Sequence, residues 1–166
     1  IILSTGMSSI GEVEKAYYTL IESGAPSVTI LHCTSNYPAP LDSVNLKAMN
    51  TLATVFNAEV GYSDHTEGVE VSIAAVALGA KVIEKHYTID KNLPGPDHKA
   101  SLDPIELKVL VDQIRNVERA ISGFGIKQLH FSEVETKKVI QKGIYLTKDI
   151  NSGEVITDDC LIMKRP

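Results

Sequence analysis

Two histidines, His65 and His86, each stand at the end of a short apolar run with an acidic residue close by. Asp64 immediately precedes the first, and Glu84 lies two residues before the second. Neutral imidazoles with open positions between them suit a divalent ion that must also take substrate, and a neighbouring carboxylate can orient such a ring. The same types and places also fit ordinary hydrogen-bonded histidines, because the separation matches no local metal motif. Ser4, Thr5, Ser35, Asn36 and Ser63 sit at or just past the ends of three such runs. Gathered there with exposed backbone N–H groups, they could hold a phosphate, although turns and helix caps favour these residues anyway. The segment Asn92-Leu-Pro-Gly-Pro-Asp97-His98-Lys99 is a proline-stiffened loop that presents an acid, an imidazole and an amine together. His32 could be a core histidine or a site residue.

These residues converge only if the elements carrying them are parallel strands with a common end. Four segments, 2–7, 30–38, 60–66 and 82–88, each stop abruptly at polar residues. Helical patterns separate them. Ser9-Ile-Gly-Glu12 is a capping box, followed by Val13, Ala16, Tyr17, Leu20 and Ile21 at helical spacing. A helix is predicted over 46–56, and another from Thr66 to Leu78, where Gly79 stops it. Asp103-Pro104-Ile-Glu106 opens a last helix running to about Ser122, with Ile105, Val109, Ile114, Val117 and Ile121 on one face. Strand–helix alternation predicts a parallel sheet whose strand C-termini carry the chemistry. Half of a (β/α)8 barrel fits, and so does a small open sheet.

The character changes after residue 122. Residues 123–141 are charged and glycine-broken, as in a linker, and 142–166 look like short strands around tight turns. The chain opens in mid-strand at Ile1 and stops at Pro166 after an apolar run, so it reads as an excerpt. The 166 residues are 43% hydrophobic and 22% charged, with net charge −5. Scattered basic residues argue against a nucleic-acid surface, and no apolar stretch is long enough to span a bilayer. Cys33 and Cys160 are isolated and expected to be reduced thiols of a cytoplasmic protein. No glycine-rich nucleotide loop, CxxC pair or GxSxG elbow is present.

Taken together, Leu3-Ser-Thr-Gly-Met7, His32-Cys-Thr-Ser-Asn-Tyr-Pro38, Gly61-Tyr-Ser-Asp-His-Thr66, Ile83-Glu-Lys-His86 and Gly95-Pro-Asp-His-Lys-Ala-Ser-Leu102 resemble the sialic acid synthase family in order and spacing. The resemblance implies the C-terminal half of a TIM (β/α)8 barrel over 1–122. A linker over 123–141 and the truncated start of a small β-rich antifreeze-like (SAF) domain over 142–166 would follow. It implies condensation of phosphoenolpyruvate with N-acetylmannosamine or a related acetamido sugar, releasing phosphate; legionaminate or pseudaminate synthesis is the alternative within the family. The implied metal ligands are His65 and His86, holding Mn²⁺ or another divalent cation such as Mg²⁺ or Co²⁺. Phosphoenolpyruvate contacts fall on Ser4, Ser35 and Ser63; some members carry Asn at the position of Ser35. Sugar contacts fall on Tyr37, Asp97 and Arg165, the last supplied across a homodimer by the partner's SAF domain. Glu84 is the implied proton-handling residue. Residues 1–166 alone are expected to lack synthase activity. Rival readings are a metal-dependent pyruvate aldolase and a non-catalytic carbohydrate-binding module.

Overall fold

Four short strands organise the first part of the chain: β1 (Ile2–Ser4), β2 (Thr29–Cys33), β3 (Val60–Asp64) and β4 (Ile83–Lys85). They pair in the order β1-β2-β3-β4, and every pairing is parallel. Helices α1 (Ile10–Glu22), α2 (Ala48–Phe56) and α3 (Glu70–Ala77) make the crossovers, and α4 (Pro104–Ile121) follows β4. Sequential parallel strands with helical crossovers are the arrangement found in half of a (β/α)8 barrel. The structure is a computed structural model that describes residues 1–166. The chain divides into two compact units, Ile1–Ser122 and Gly123–Pro166.

Side chains of paired residues in a sheet point to one side, and successive residues alternate. One face of the sheet therefore carries Ile30, Val60 and Tyr62, which join Val13, Met49, Leu52, Phe56, Val71 and Ala75 of the helices in the core. The other face carries Ser4, Leu31 and Gly61 in one register row, then Cys33, Ser63 and Glu84 in a row nearer the strand ends. Gly61 lets β3 and β4 close up. A Cβ there would lie 2.4 Å from the Val82 carbonyl oxygen and 2.5 Å from Leu31 Cδ2.

The helix starts follow the sequence signals at both ends of this unit. Glu12 Oε2 accepts from the backbone N–H and the hydroxyl of Ser9, at 2.8 and 2.7 Å. At α4, Glu106 N–H donates to Asp103 Oδ1 at 2.8 Å while Asp103 N–H donates to Glu106 Oε2 at 3.0 Å. The helix expected from Thr66 begins instead at Glu70. Thr66 gives both its N–H and its hydroxyl to Asp64, and Gly68 takes φ +77°, so the chain turns before it can coil. Likewise α2 starts at Ala48, not residue 46, after a 3-10 turn at Leu41–Ser43 and a left-handed Asn45. The face expected on α4 is largely bare: Ile105 is 75% exposed and Ile121 53%, whereas Leu110 is buried. A helix packed along one neighbour, here α3, covers one strip only.

In the second unit, residues 123–141 carry a 3-10 turn at Phe131–Glu133 and helix α5 (Val134–Ile140). His130 N–H donates to Glu133 Oε2, and Lys138 pairs with Glu135, which gives this charged stretch a local reason to coil. Strands β5 (Gly143–Leu146) and β6 (Leu161–Lys164) pair antiparallel over the buried Cys160. Residues 148–154 form turns rather than a strand. Both cysteines are free. No helix is long and apolar enough to cross a membrane.

Candidate functional site

The C-terminal ends of β3 and β4 lie side by side, with Ser63 in register with Glu84. Both side chains point away from the helices, and Ser63 Oγ donates to Glu84 Oε1 at 2.7 Å. Two residues further along each strand, on the same side by alternation, come His65 and His86. Their rings stand nearly perpendicular, with centres 5.5 Å apart. Tyr37, from the loop after β2, lies over both. Its ring centre is 4.1 Å from that of His65 and 5.3 Å from that of His86. Asp97 of the proline-stiffened loop lines the same small pocket as Tyr37, His65 and His86.

Hydrogen bonding fixes which nitrogen of a neutral His65 ring carries its hydrogen. Its Nδ1 lies 2.7 Å from the Thr34 carbonyl oxygen, which can only accept, so Nδ1 carries the hydrogen. Nε2 then holds a lone pair. Its neighbour is Ser63 Oγ at 3.2 Å, whose single hydrogen goes to Glu84. That lone pair is unclaimed within the chain. Two imidazoles binding one ion at about 2.1 Å per nitrogen put their ring centres roughly 4.5–6.5 Å apart, and this pair meets that spacing. No group of three or more His, Cys, Asp or Glu side chains is clustered for a metal. An ion held by these two histidines would have its remaining positions filled by substrate or water.

Asp64 does not orient His65, although it precedes it. Strand alternation turns its carboxylate to the helix side, where Oδ1 accepts from Thr66 N–H and hydroxyl and Oδ2 from Ser72 at 2.5 Å. Lys85 Nζ completes the set at 2.9 Å from Oδ2. The backbone carbonyl of Thr34 does the orienting instead, a partner that no side-chain pattern reveals. Lys85 was also invisible as a functional candidate. The signal that could have found it is its register: one residue before His86, level with Asp64, on the apolar side of a strand.

The other expected residues fall around this cluster at different distances. Ser4 ends β1 and is exposed on the same sheet face, in the row below Ser63. Ser35 is half-buried beside Gly6, whose N–H donates to Cys33 Sγ at 3.0 Å. Arg165 is exposed in the second unit, just after β6. His32 belongs to the helix side: its Nε2 bonds the Val44 carbonyl at 2.8 Å and its ring packs near Tyr62. His98 holds Thr88 at 2.8 Å and so braces the loop carrying Asp97. Tyr62 itself is fully buried with no partner for its hydroxyl, and burial first, then the Asp64 charge, drives its ionisation far upward.

Consecutive parallel strands with imidazole, carboxylate and hydroxyl groups massed past their C-terminal ends define an α/β protein of half-barrel topology with a strand-end site. The chain belongs to the NeuB family, which it matches over residues 1–127. It is 53% identical to the N,N'-diacetyllegionaminic acid synthase of Campylobacter jejuni, over 100% of this chain and 50% of that protein. Among solved structures it is similar to the spore coat polysaccharide biosynthesis protein spsE of Bacillus subtilis, with TM-score 0.70 and 39% identity over 99% of this chain and 50% of that one. The N-acetylneuraminic acid synthetase of Leptospira borgpetersenii matches with TM-score 0.71 and 41% identity, over 81% of this chain and 47% of that one. The chain spans about half the length of the curated relatives it matches.

Proposed function

We propose that the protein is a nonulosonic acid synthase that joins phosphoenolpyruvate to an acetamido sugar aldehyde and releases phosphate, and that this chain supplies the metal-binding end of its site. The observation that carries this is the convergence of Ser63, Glu84, His65 and His86 beneath Tyr37. His65 and His86 would hold a divalent ion: Mn²⁺, or Mg²⁺ or Co²⁺. Such an ion supplies Lewis-acid polarisation of the aldehyde.

The reaction then asks three things of the chain's own residues. The enol carbon of phosphoenolpyruvate forms the new bond to the aldehyde carbon, so the two substrates must be held face to face. Ser4, Ser35 and Ser63 would position the phosphate, with Ser63 moving its hydrogen from Glu84 to a phosphate oxygen. Water adds to the carbon left electron-poor, phosphate leaves by C–O cleavage, and the water's proton needs an acceptor. Glu84 would take one proton from that water once Ser63 has released the carboxylate and pass it to the oxygen of the former aldehyde, while the water's other hydrogen leaves with phosphate; the 2.7 Å Ser63–Glu84 contact supports this reading. Tyr37 and Asp97 would face the sugar.

A diacetamido-trideoxy sugar, as for legionaminate, is favoured by the 53% identity with a legionaminic acid synthase. N-acetylmannosamine is the second candidate, on the weaker likeness to an N-acetylneuraminic acid synthetase. The hairpin of the second unit is read as the start of an antifreeze-like (SAF) domain, with Arg165 completing the site of the other subunit in a homodimer. The test is phosphate release by the full-length protein with phosphoenolpyruvate, Mn²⁺ and a panel of acetamido sugars, each omitted in turn. Release requiring all three, and lost in His65→Ala and in His86→Ala, is expected. Turnover of pyruvate without phosphate release would replace this reading with an aldolase.

A further inference from the structure

We propose that the buried Asp64–Lys85 ion pair is a positioning device that sets the separation and orientation of His65 and His86; the proposal rests on the reading of those histidines as metal ligands. Asp64 and Lys85 are register partners, and each is the residue immediately before one histidine. Tying their side chains on the helix side therefore fixes, one peptide further on, the two backbone points from which the imidazoles project on the other side.

The pair does more than bridge two strands. Lys85 Nζ also donates to the Thr66 carbonyl oxygen at 2.7 Å, while Asp64 Oδ1 takes the Thr66 N–H at 2.9 Å and its hydroxyl at 2.7 Å. The residues on both sides of His65 are thus gripped by one charge pair. Ser72 of α3 anchors the same carboxylate from the helix layer at 2.5 Å. On the β4 side, the backbone carbonyl of His86 accepts from Leu102 N–H at 2.9 Å, which holds the strand end beyond Lys85.

Burial makes this arrangement hard to explain as a source of stability. The Lys85 and Asp64 side chains are 4% and 0% exposed, and an ion pair so placed loses hydration that its attraction need not recover. An apolar pair of the same volume would pack as well. It would leave the N–H and C=O of Thr66, which is itself 1% exposed, without partners. What the charges add is a fixed course for residues 64–66 and 85–86, the segment on which both imidazoles depend.

The experiment uses the full-length protein and two readouts. Mn²⁺ affinity is measured by electron paramagnetic resonance of free Mn²⁺ in wild type, His65→Ala, Lys85→Met, Ser72→Ala and the doubly neutral Asp64→Asn/Lys85→Met. Imidazole NMR of metal-free protein follows the Nδ1 proton that His65 donates to Thr34. Lys85→Met is expected to weaken Mn²⁺ binding 10- to 100-fold, as removal of a partner behind a metal ligand does, and to lose the protected Nδ1 signal. Ser72→Ala should weaken binding by a smaller factor and needs no loss of charge. If Lys85→Met does not fold, Ser72→Ala and the double variant decide the matter. Folded variants with lower melting temperature but unchanged affinity and an unchanged Nδ1 signal overturn the proposal. Wild type that binds no Mn²⁺ would instead refute the metal reading, and the imidazole signal alone would then judge the brace.

Discussion

Gly61→Ala adds one methyl group at the point where β3 and β4 are most tightly seated. The new Cβ would stand 2.4 Å from the Val82 carbonyl oxygen, 2.5 Å from Leu31 Cδ2 and 3.0 Å from Val82 Cβ. Gly61 does not have a left-handed backbone, so the cost is steric, offset in small part by the lower entropy of the unfolded alanine chain. Neither obstacle can step aside easily. The Val82 carbonyl accepts the Tyr62 N–H at 2.9 Å, inside the ladder that joins the two strands, and Leu31 is fully buried. Overpacking a filled interior costs about 1–3 kcal/mol, and a clash with a ladder carbonyl belongs at the top of that range. With a urea m-value of about 2 kcal/mol/M, a loss of about 3 kcal/mol moves the unfolding midpoint down by about 1.5 M. Equilibrium urea unfolding of wild type and variant, followed by circular dichroism, measures it. Gly61→Ala/Leu31→Ala should not recover the loss, because the carbonyl contact remains. A single variant within about 0.5 kcal/mol of wild type would refute the reasoning and show that β3 and β4 can part without penalty.

Three further outcomes are expected. Met49→Ala, at a side chain with no exposure, should cost about 2–5 kcal/mol in the same assay. Asp103→Ala should cost about 1 kcal/mol by removing the cap of α4, and Asp103→Asn much less. The Lys91 ammonium first, and the Asp103 backbone N–H second, hold the Glu106 carboxyl below the usual carboxylate range. A depressed folded-state pKa contributes stability that is present above the unfolded value and is lost as pH falls through the folded one. The stability difference between wild type and Lys91→Met should therefore be constant near neutrality and shrink in acid; a difference that persists at low pH would assign it to packing of the lysine stem.

Much of this fold was legible because its signals are local. The two capping boxes, Ser9/Glu12 and Asp103/Glu106, form as written. The polar residues at the four strand ends did mark one shared edge. The errors lie where a side chain does work that distance along the chain does not encode. Thr66 looks like a helix start until Asp64 claims both of its donors. The apolar stripe of α4 is real as a pattern, but the pattern does not say how much of it a neighbour covers.

The grouping of Ser63, Glu84, His65 and His86 was legible in the sequence and its wiring was not, and strand alternation explains both. Ser63, Glu84, His65 and His86 sit at positions of one parity on two adjacent strands, so a correct register delivers all four to one face. Asp64 and Lys85 have the other parity. Reading Asp64 as the orienting partner of His65 used adjacency in sequence, and in a strand adjacent side chains point to opposite faces. The orienting role fell to a carbonyl on β2's exit, at Thr34, reached only because β2 and β3 are neighbours. The displaced carboxylate found a lysine of its own parity and was buried with it. The same geometric rule that excludes Asp64 from contact with the imidazole thus makes it available to hold the backbone behind that imidazole, and this is why variants of a residue pointing away from the site are expected to change what the site binds.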